Sequence, residues 1–244
     1  MKSSTFTTFA SFATLVAAQN VTVPTTCGNY TAGSDEVLYT VPYTYDQVIS
    51  IIGNYSNLTW SGSPENSVTL NGTDDTVGTA RTYSLSGTTI IETILNYSKP
   101  AAPGPYYEVH NTAKLTIAGD SLFIPYDGTT VTSVCDGKAS MFNFTAHFCA
   151  TNVSFSAATL HMLHLGDAVT VGKFLGGKNF TNCAALGASN SSGPMNQTGA
   201  TTGTASGSTS GSPAAYTPGS GAGLSSQAGW WSAAVGVVGA LLML

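Results

Sequence analysis

The chain has 244 residues, of which 8% are charged, with 7 Lys+Arg against 12 Asp+Glu and a formal net charge of -5. That length suits one folded domain with processing signals and a tail rather than two large domains. No basic cluster is present to neutralise a phosphate backbone, which excludes nucleic-acid binding.

Residues 1–18 carry Lys2, then an apolar and hydroxyl-rich run, and close on Val16-Ala17-Ala18. This is the pattern of a secretory signal peptide, with Gln19 as the mature start. The other end, residues 230–244, is an apolar terminus with no basic residue after it, shorter than the ~20 residues a spanning helix needs. It follows an uncharged spacer and the small residues Gly219, Ser220, Gly221 and Ala222. Small residues, spacer and apolar terminus in this order read as a GPI-attachment signal, with attachment expected at Ser220 and residues 223–244 removed.

Lys178 is the last charged residue, and residues 186–222 are almost wholly Gly, Ser, Thr, Ala and Pro. Such a segment buries too little apolar area to offset its ordering entropy, so a flexible stalk is expected. Its hydroxyls beside Pro194, Pro213 and Pro218 suit O-glycosylation. N-glycosylation sequons occur at Asn20, Asn29, Asn54, Asn57, Asn71, Asn96, Asn143, Asn152, Asn179, Asn190 and Asn196, and each occupied one must face solvent. The expected location is the extracellular face of the plasma membrane or the cell wall. The GPI lipid would be the membrane partner and wall glycan a further one.

Four cysteines, Cys27, Cys135, Cys149 and Cys183, suit an oxidising compartment and allow three pairings. The favoured pairing is Cys27–Cys183, tying the ends of the domain, with Cys135–Cys149 within the last strands. The spacing fits no metal knuckle.

Residues 19–185 remain as the folded part. Val37, Tyr39 and Val41 alternate as in a half-buried strand, which Pro42 ends. Thr44-Tyr45-Asp46-Gln47 reads as a capping box. Val48, Ile51 and Ile52 form the apolar stripe of the short helix it opens, with Gly53 as a left-handed stop. From residue 67 to 148, runs rich in Thr, Val, Ile, Tyr and Phe are punctuated at Asn71-Gly72, Gly78, Ser86-Gly87, Ala118-Gly119-Asp120, Asp127-Gly128 and Asp136-Gly137, which predicts a multi-stranded antiparallel sheet. Phe142, Phe144, Ala146 and Phe148 share one face of the last strand, and Asn143, Thr145 and His147 the other. Beyond Asn152 the spacing of Phe155, Ala158, Met162, Leu165 and Val169 predicts a helix of about 20 residues, with Ser154 able to cap its start and Gly176-Gly177 to end it.

This order of elements resembles the START-like helix-grip superfamily, which includes Bet v 1-like allergens and polyketide cyclase-type SRPBCC domains. The segment from Tyr45 to Trp60 is similar to the family's first helix and the loop leading to its Trp. Val77-Gly78-Thr79-Ala80-Arg81-Thr82-Tyr83 and Ile91-Glu92-Thr93-Ile94-Leu95 look like two of its strands, although Thr93 stands where the family usually has Arg. The run from Pro100 to Pro105 also departs from the family. The resemblance implies an α+β helix-grip fold, a curved antiparallel sheet around a long C-terminal helix. The alternative is a secreted β-sandwich.

The resemblance further implies an apolar cavity between sheet and helix that takes a hydrophobic small molecule such as a lipid, a sterol or a polyketide-like compound. Candidate lining residues are Ile91, Leu95, Tyr97, Leu115, Ile117, Phe142, Phe144, Phe148, Met162, Leu165 and Val169, with Arg81, Glu92 and His161 as polar candidates. No nucleophile elbow, zinc-protease helix or phosphate loop occurs, so no catalytic residue, cofactor or metal is assigned. His161 and His164, three apart on the expected helix, could bind a metal or shuttle a proton, especially with His147 or Glu92 nearby, although packing is the favoured role without a third ligand in evident spacing. Arg81 and Glu92 on neighbouring strands suggest a cross-strand pair. The stalk and anchor resemble those of ascomycete cell-surface proteins. The expected function is a surface-held binder of a hydrophobic small molecule. The alternatives are a structural or adhesive wall glycoprotein without ligand and a cyclase-like enzyme.

Overall fold

The structure, a computed structural model, describes residues 26–85 and 87–188 and the backbone of 198–199. The expected signal peptide, the anchor signal with Ser220, most of the stalk and the sequons at Asn20, Asn190 and Asn196 lie outside the described residues.

The elements are β1 (Thr31–Val41), α1 (Tyr45–Ile52), β2 (Thr69–Asn71), β3 (Ala80–Leu85), β4 (Thr88–Ser98), β5 (Tyr106–Ile117), β6 (Asp120–Val134), β7 (Ala139–Ala150), α2 (Val153–Phe174) and the two-residue β8 (Thr198–Gly199). All strands join one antiparallel sheet in the order β2-β3-β4-β5-β6-β7-β1-β8. α2 packs on it, chiefly against β1 and β7. The fold is α+β, one antiparallel sheet with one long helix against it, consistent with a helix-grip. The single sheet rules out the β-sandwich alternative.

α1 begins as a capping box, with the Thr44 hydroxyl accepting from Gln47 N–H and the Gln47 side chain accepting from Thr44 N–H. Gly53 ends it at φ -74, not in the left-handed region. Close packing explains that glycine, because a Cβ there would meet the Ile49 carbonyl oxygen at 2.5 Å. Asp127-Gly128 is not a turn but lies within β6, where Asp127 pairs with Ala146 and Gly128 with Thr145.

α2 starts two residues earlier than Ser154 capping would give. The Asn152 side chain accepts from Phe155 N–H. The buried Asp120 carboxylate also accepts from Asn152 N–H and Ser156 Oγ at this positive end of the helix dipole. The buried face of α2 is Ser156, Ala157, Leu160, His164, Asp167, Ala168 and Val171, rotated from the stripe expected from Phe155, Met162 and Val169. Apolar residues surround the whole helix, so their period does not select a face.

Both disulfides differ from the favoured pairing: Cys27 bonds Cys149 and Cys135 bonds Cys183. Antiparallel pairing of β1 with β7 places Ala32 opposite Cys149, so the chain just before β1 meets the end of β7. Cys135 lies in the β6–β7 turn at the far end of the sheet. The 22 residues of α2, at ~1.5 Å per residue, carry the chain back to that end before Cys183. Leu186 and Ala188 pack on this second bridge, so the domain runs past the boundary expected at 185.

Of the described sequons, Asn29, Asn54, Asn71, Asn152 and Asn179 are exposed and Asn57 and Asn143 half-buried. Asn96 is only 8% exposed. A bulge at Leu95, between Ile94 and Asn96, shifts the strand register there, and a buried asparagine has no room for a glycan.

Candidate functional site

The inner face of the sheet carries two apolar clusters with a polar belt between them. At one end Val37, Tyr45, Val48, Tyr106, Phe142 and Val171 pack together, and at the other Ile90, Leu115, Leu122, Ile124, Phe148 and Leu160. Strand alternation places a charged residue between the clusters on β3, β4, β5 and β6, since residues two apart share a face. On β5 the buried sequence from one cluster to the other is Tyr106, Glu108, His110, Thr112 and Leu115. β3 contributes Arg81, β4 Glu92, β6 Asp127, and α2 His164 and Asp167. Six of the chain's twelve acidic residues and its single arginine are buried, an uncommon use of charge in a folded core.

The belt is continuous. Arg81 and Glu92 stand directly opposite on β3 and β4, with Nε to Oε2 at 2.6 Å. Arg81 also approaches Glu108 at 3.7 Å, donates to the Tyr55 carbonyl and lies over the Tyr55 ring. His110 reaches Glu108 at 3.2 Å, Glu92 at 3.5 Å and Asp127 at 3.7 Å. His164 stacks on Phe144 and meets Asp127 at 3.4 Å. The Tyr83 and Tyr106 hydroxyls donate to Glu92 and Glu108.

These contacts set the protonation states. Burial opposes charge on Glu92, but Arg81 and His110 outweigh it and hold the carboxyl well below the usual range. Glu108 and Asp127 are likewise buried yet lowered, Glu108 by His110 and Arg81 and Asp127 by His164 and His110. Burial disfavours both imidazoliums, yet Glu92, Glu108 and Asp127 push His110 up to about 10, and Asp127, Asp35 and Asp167 do the same for His164. Asp167 differs, because burial dominates and raises it to about 7 against the opposing His164 and Ser61.

A stability profile follows from these signs. The depressed carboxylates contribute above their unfolded values near 4.5 and 3.8 and lose that contribution as pH falls. The raised histidines contribute fully below their unfolded 6.5 and lose it as pH rises toward about 10. Asp167, raised from 3.8, withdraws stability as pH rises toward about 7. Urea midpoints measured across pH should therefore peak between about 4.5 and 6.5 and fall on both sides; a maximum in alkaline solution would contradict the assignment.

A cavity of about 90 Å³ lies between this belt, the second apolar cluster and α2. Leu58, Trp60 and Ser61, in and beside the 3₁₀ turn Thr59–Ser61, close one side. The Trp60 indole is fixed by donation to the Asn57 carbonyl. Leu115, Ile117, Leu122, Ile124, Leu160 and Leu163 form the apolar wall, while Arg81, Glu92, Glu108, His110, Asp127, His164 and Asp167 form the polar one.

Of the residues expected in the lining, Leu115, Ile117, Phe144, Arg81 and Glu92 are there. Phe142 and Phe148 belong instead to the solid clusters. Tyr97 packs edge-on against Tyr106 and donates to the Gly53 carbonyl. Leu95 sits at the bulge, and Leu165 and Val169 are half-buried outside the lining. Ile91 and Met162, 43% and 44% exposed, face away from the core; Ile90 and Leu160 take the inward positions. His161 leaves the cavity to meet Asp35 on β1 at 3.0 Å. His147 packs on Tyr126 on the opposite side of the sheet from Phe144, so it cannot join His161 and His164, and among the described residues no three His, Cys, Asp or Glu side chains are grouped to hold a metal.

Glu108, His110, Asp127 and Asp167 were not among the candidates. The alternation Tyr106-Glu108-His110-Thr112 is the signal in the sequence for Glu108 and His110, obscured by apolar Val109 on the other face, and it says nothing of Asp127 on β6 or Asp167 on α2.

No family model and no curated protein matches the chain. Solved structures similar to it include XoxI from Bacillus cereus, with 16% identity over 58% of this chain and 94% of that one at a TM-score of 0.44. Norcoclaurine synthase from Thalictrum flavum, in complex with dopamine and hydroxybenzaldehyde, is 12% identical over 67% of this chain and 100% of that one, with a TM-score of 0.42. The Zhui aromatase/cyclase from a Streptomyces species is 11% identical over 59% and 93%, with a TM-score of 0.43.

Proposed function

We propose that this protein is a secreted, surface-held binder of a small, largely apolar molecule taken up between the sheet and α2. The observation that carries the reading is the cavity itself, whose one wall is aliphatic and whose other wall is a buried ionised belt. Ligand sites of this kind pair apolar lining with a few fixed polar groups. The charges of that belt, each costly to desolvate, converge on this one space.

The size of the cavity narrows the occupant. Drug-sized ligands fill roughly 300–1,000 Å³, and a 150 Å³ apolar cavity holds benzene. At about 90 Å³ this site suits a compact molecule; a sterol or long-chain lipid would have to push α2 from the sheet. The surface location rests on the signal peptide, stalk and GPI signal read in the sequence, with Ser220 as attachment residue and wall glycan as a neighbour.

The test uses protein released from cells by phosphatidylinositol-specific phospholipase and analysed by native mass spectrometry after deglycosylation. A bound small molecule is expected in the wild type. It should be lost in Thr159→Trp, which places an indole at the α2 side of the lining while keeping the apolar core. Retention on treated cells would remove the anchor, and a protein that neither carries nor takes up any small molecule would remove the binding function.

A further inference from the structure

The cavity wall contains three cationic groups, Arg81, His110 and His164, and three carboxylates in contact with them, Glu92, Glu108 and Asp127. Asp167 is the fourth acid and has no cation of its own. It is 6% exposed, and its Oδ1 makes no hydrogen bond. The groups acting on it are His164 one turn earlier on α2, Ser61 from the 3₁₀ turn, Asp127 from β6 and Glu92 from β4; Tyr83 on β3 in turn feels its charge. Asp35 on β1, buried behind His164 at 3.7 Å and against His161 at 3.0 Å, is a further carboxylate, so the three cations of the wall already face four carboxylates and an ionised Asp167 would add one more negative charge among them. A protonated carboxyl is a donor, and a buried donor without an acceptor is costly. Two further buried polar atoms of the lining make no hydrogen bond, Thr112 Oγ1 at the border of the aliphatic wall and His164 Nδ1, which faces Asp35 at 3.7 Å.

We propose that Asp167 is the recognition group of this cavity and that its ligand is a small neutral molecule, an apolar body ending in a carbonyl or similar oxygen acceptor, which takes a hydrogen bond from the protonated carboxyl. This rests on the small-molecule reading above and names the chemistry of the ligand. A neutral acceptor satisfies Oδ1 and adds no charge to the belt. An ammonium ligand would have to drive off the Asp167 proton and shed its own hydration. A carboxylate ligand would add a charge beside Asp127 and Glu92.

Calorimetry on the full secreted chain with three probes of one shape tests this: cyclopentanone, methylenecyclopentane and cyclopentylamine. The ketone should bind roughly three- to tenfold more tightly than the hydrocarbon, the return on one hydrogen bond. That preference should vanish between about pH 6 and about pH 8 as the carboxyl ionises. Asp167→Asn keeps a donor without a titrating proton, so it should keep the ketone preference and lose the pH dependence. Equal binding of ketone and hydrocarbon, tightest binding of the amine, or an unchanged pH profile in Asp167→Asn would overturn the assignment while leaving the binding function intact. Failure of all three probes would overturn both. Should the variant not fold, the carboxyl resonances of wild-type protein labelled with ¹³C-aspartate give the same answer: one aspartate must titrate near neutrality and shift on adding ketone, and its absence counts against the proposal.

Discussion

Glu92→Gln is expected to lower the folding free energy by about 3–5 kcal/mol, the usual cost of removing one member of a buried ion pair. The loss is large because Glu92 is shared by Arg81, His110 and the Tyr83 hydroxyl. With its charge gone, Arg81 keeps only Glu108 at 3.7 Å as a close anion. The check is urea unfolding, where the midpoint should fall with the slope unchanged. The double variant Arg81→Met, Glu92→Leu should recover much of the loss, because a buried pair replaced as a whole by apolar residues is often tolerated. If the double variant is less stable than the sum of the single ones, the pair is not a unit.

The second large effect belongs to the Cys27–Cys149 bridge, which closes 122 residues of chain. Chain-entropy reasoning gives such a loop about 5 kcal/mol of stabilisation, against about 4 kcal/mol for the 48 residues between Cys135 and Cys183. Replacing both Cys27 and Cys149 by Ala should therefore cost more than replacing the other pair. Non-reducing peptide mapping should recover Cys27 with Cys149. A Cys27–Cys183 peptide would instead restore the pairing favoured from sequence.

Local signals carried the fold. The Thr44–Gln47 capping box, the turn at Ala118-Gly119 and the one-sided Phe142, Phe144 and Phe148 pattern are written in neighbouring residues, and each forms as those residues dictate. The site is harder to read because its rule is inverted. On β5 the inward positions are Glu108, His110 and Thr112, where polarity normally signals the solvent face. On β4 the two adjacent isoleucines Ile90 and Ile91 are alike in composition but face opposite sides, with Ile90 inward, because a one-residue step along a strand moves the side chain to the other face. Asp127 was hidden by its Gly neighbour, a pair that imitates a turn. On α2 the polar residues His164 and Asp167 face inward while Met162 faces out; nothing in the helix alone tells that the opposing strands present charges to them.

The Cys135–Cys183 bond also governs how the domain bears a pull. Tension applied through the chain beyond residue 188 arrives at Cys183, where the disulfide hands it to the β6–β7 turn. α2 lies wholly inside the loop that this bond closes. It therefore stays off the mechanical path, and the lining residues it supplies keep their places while the sheet takes the strain. A pull on the C-terminal end thus leaves the helix wall of the cavity out of the load.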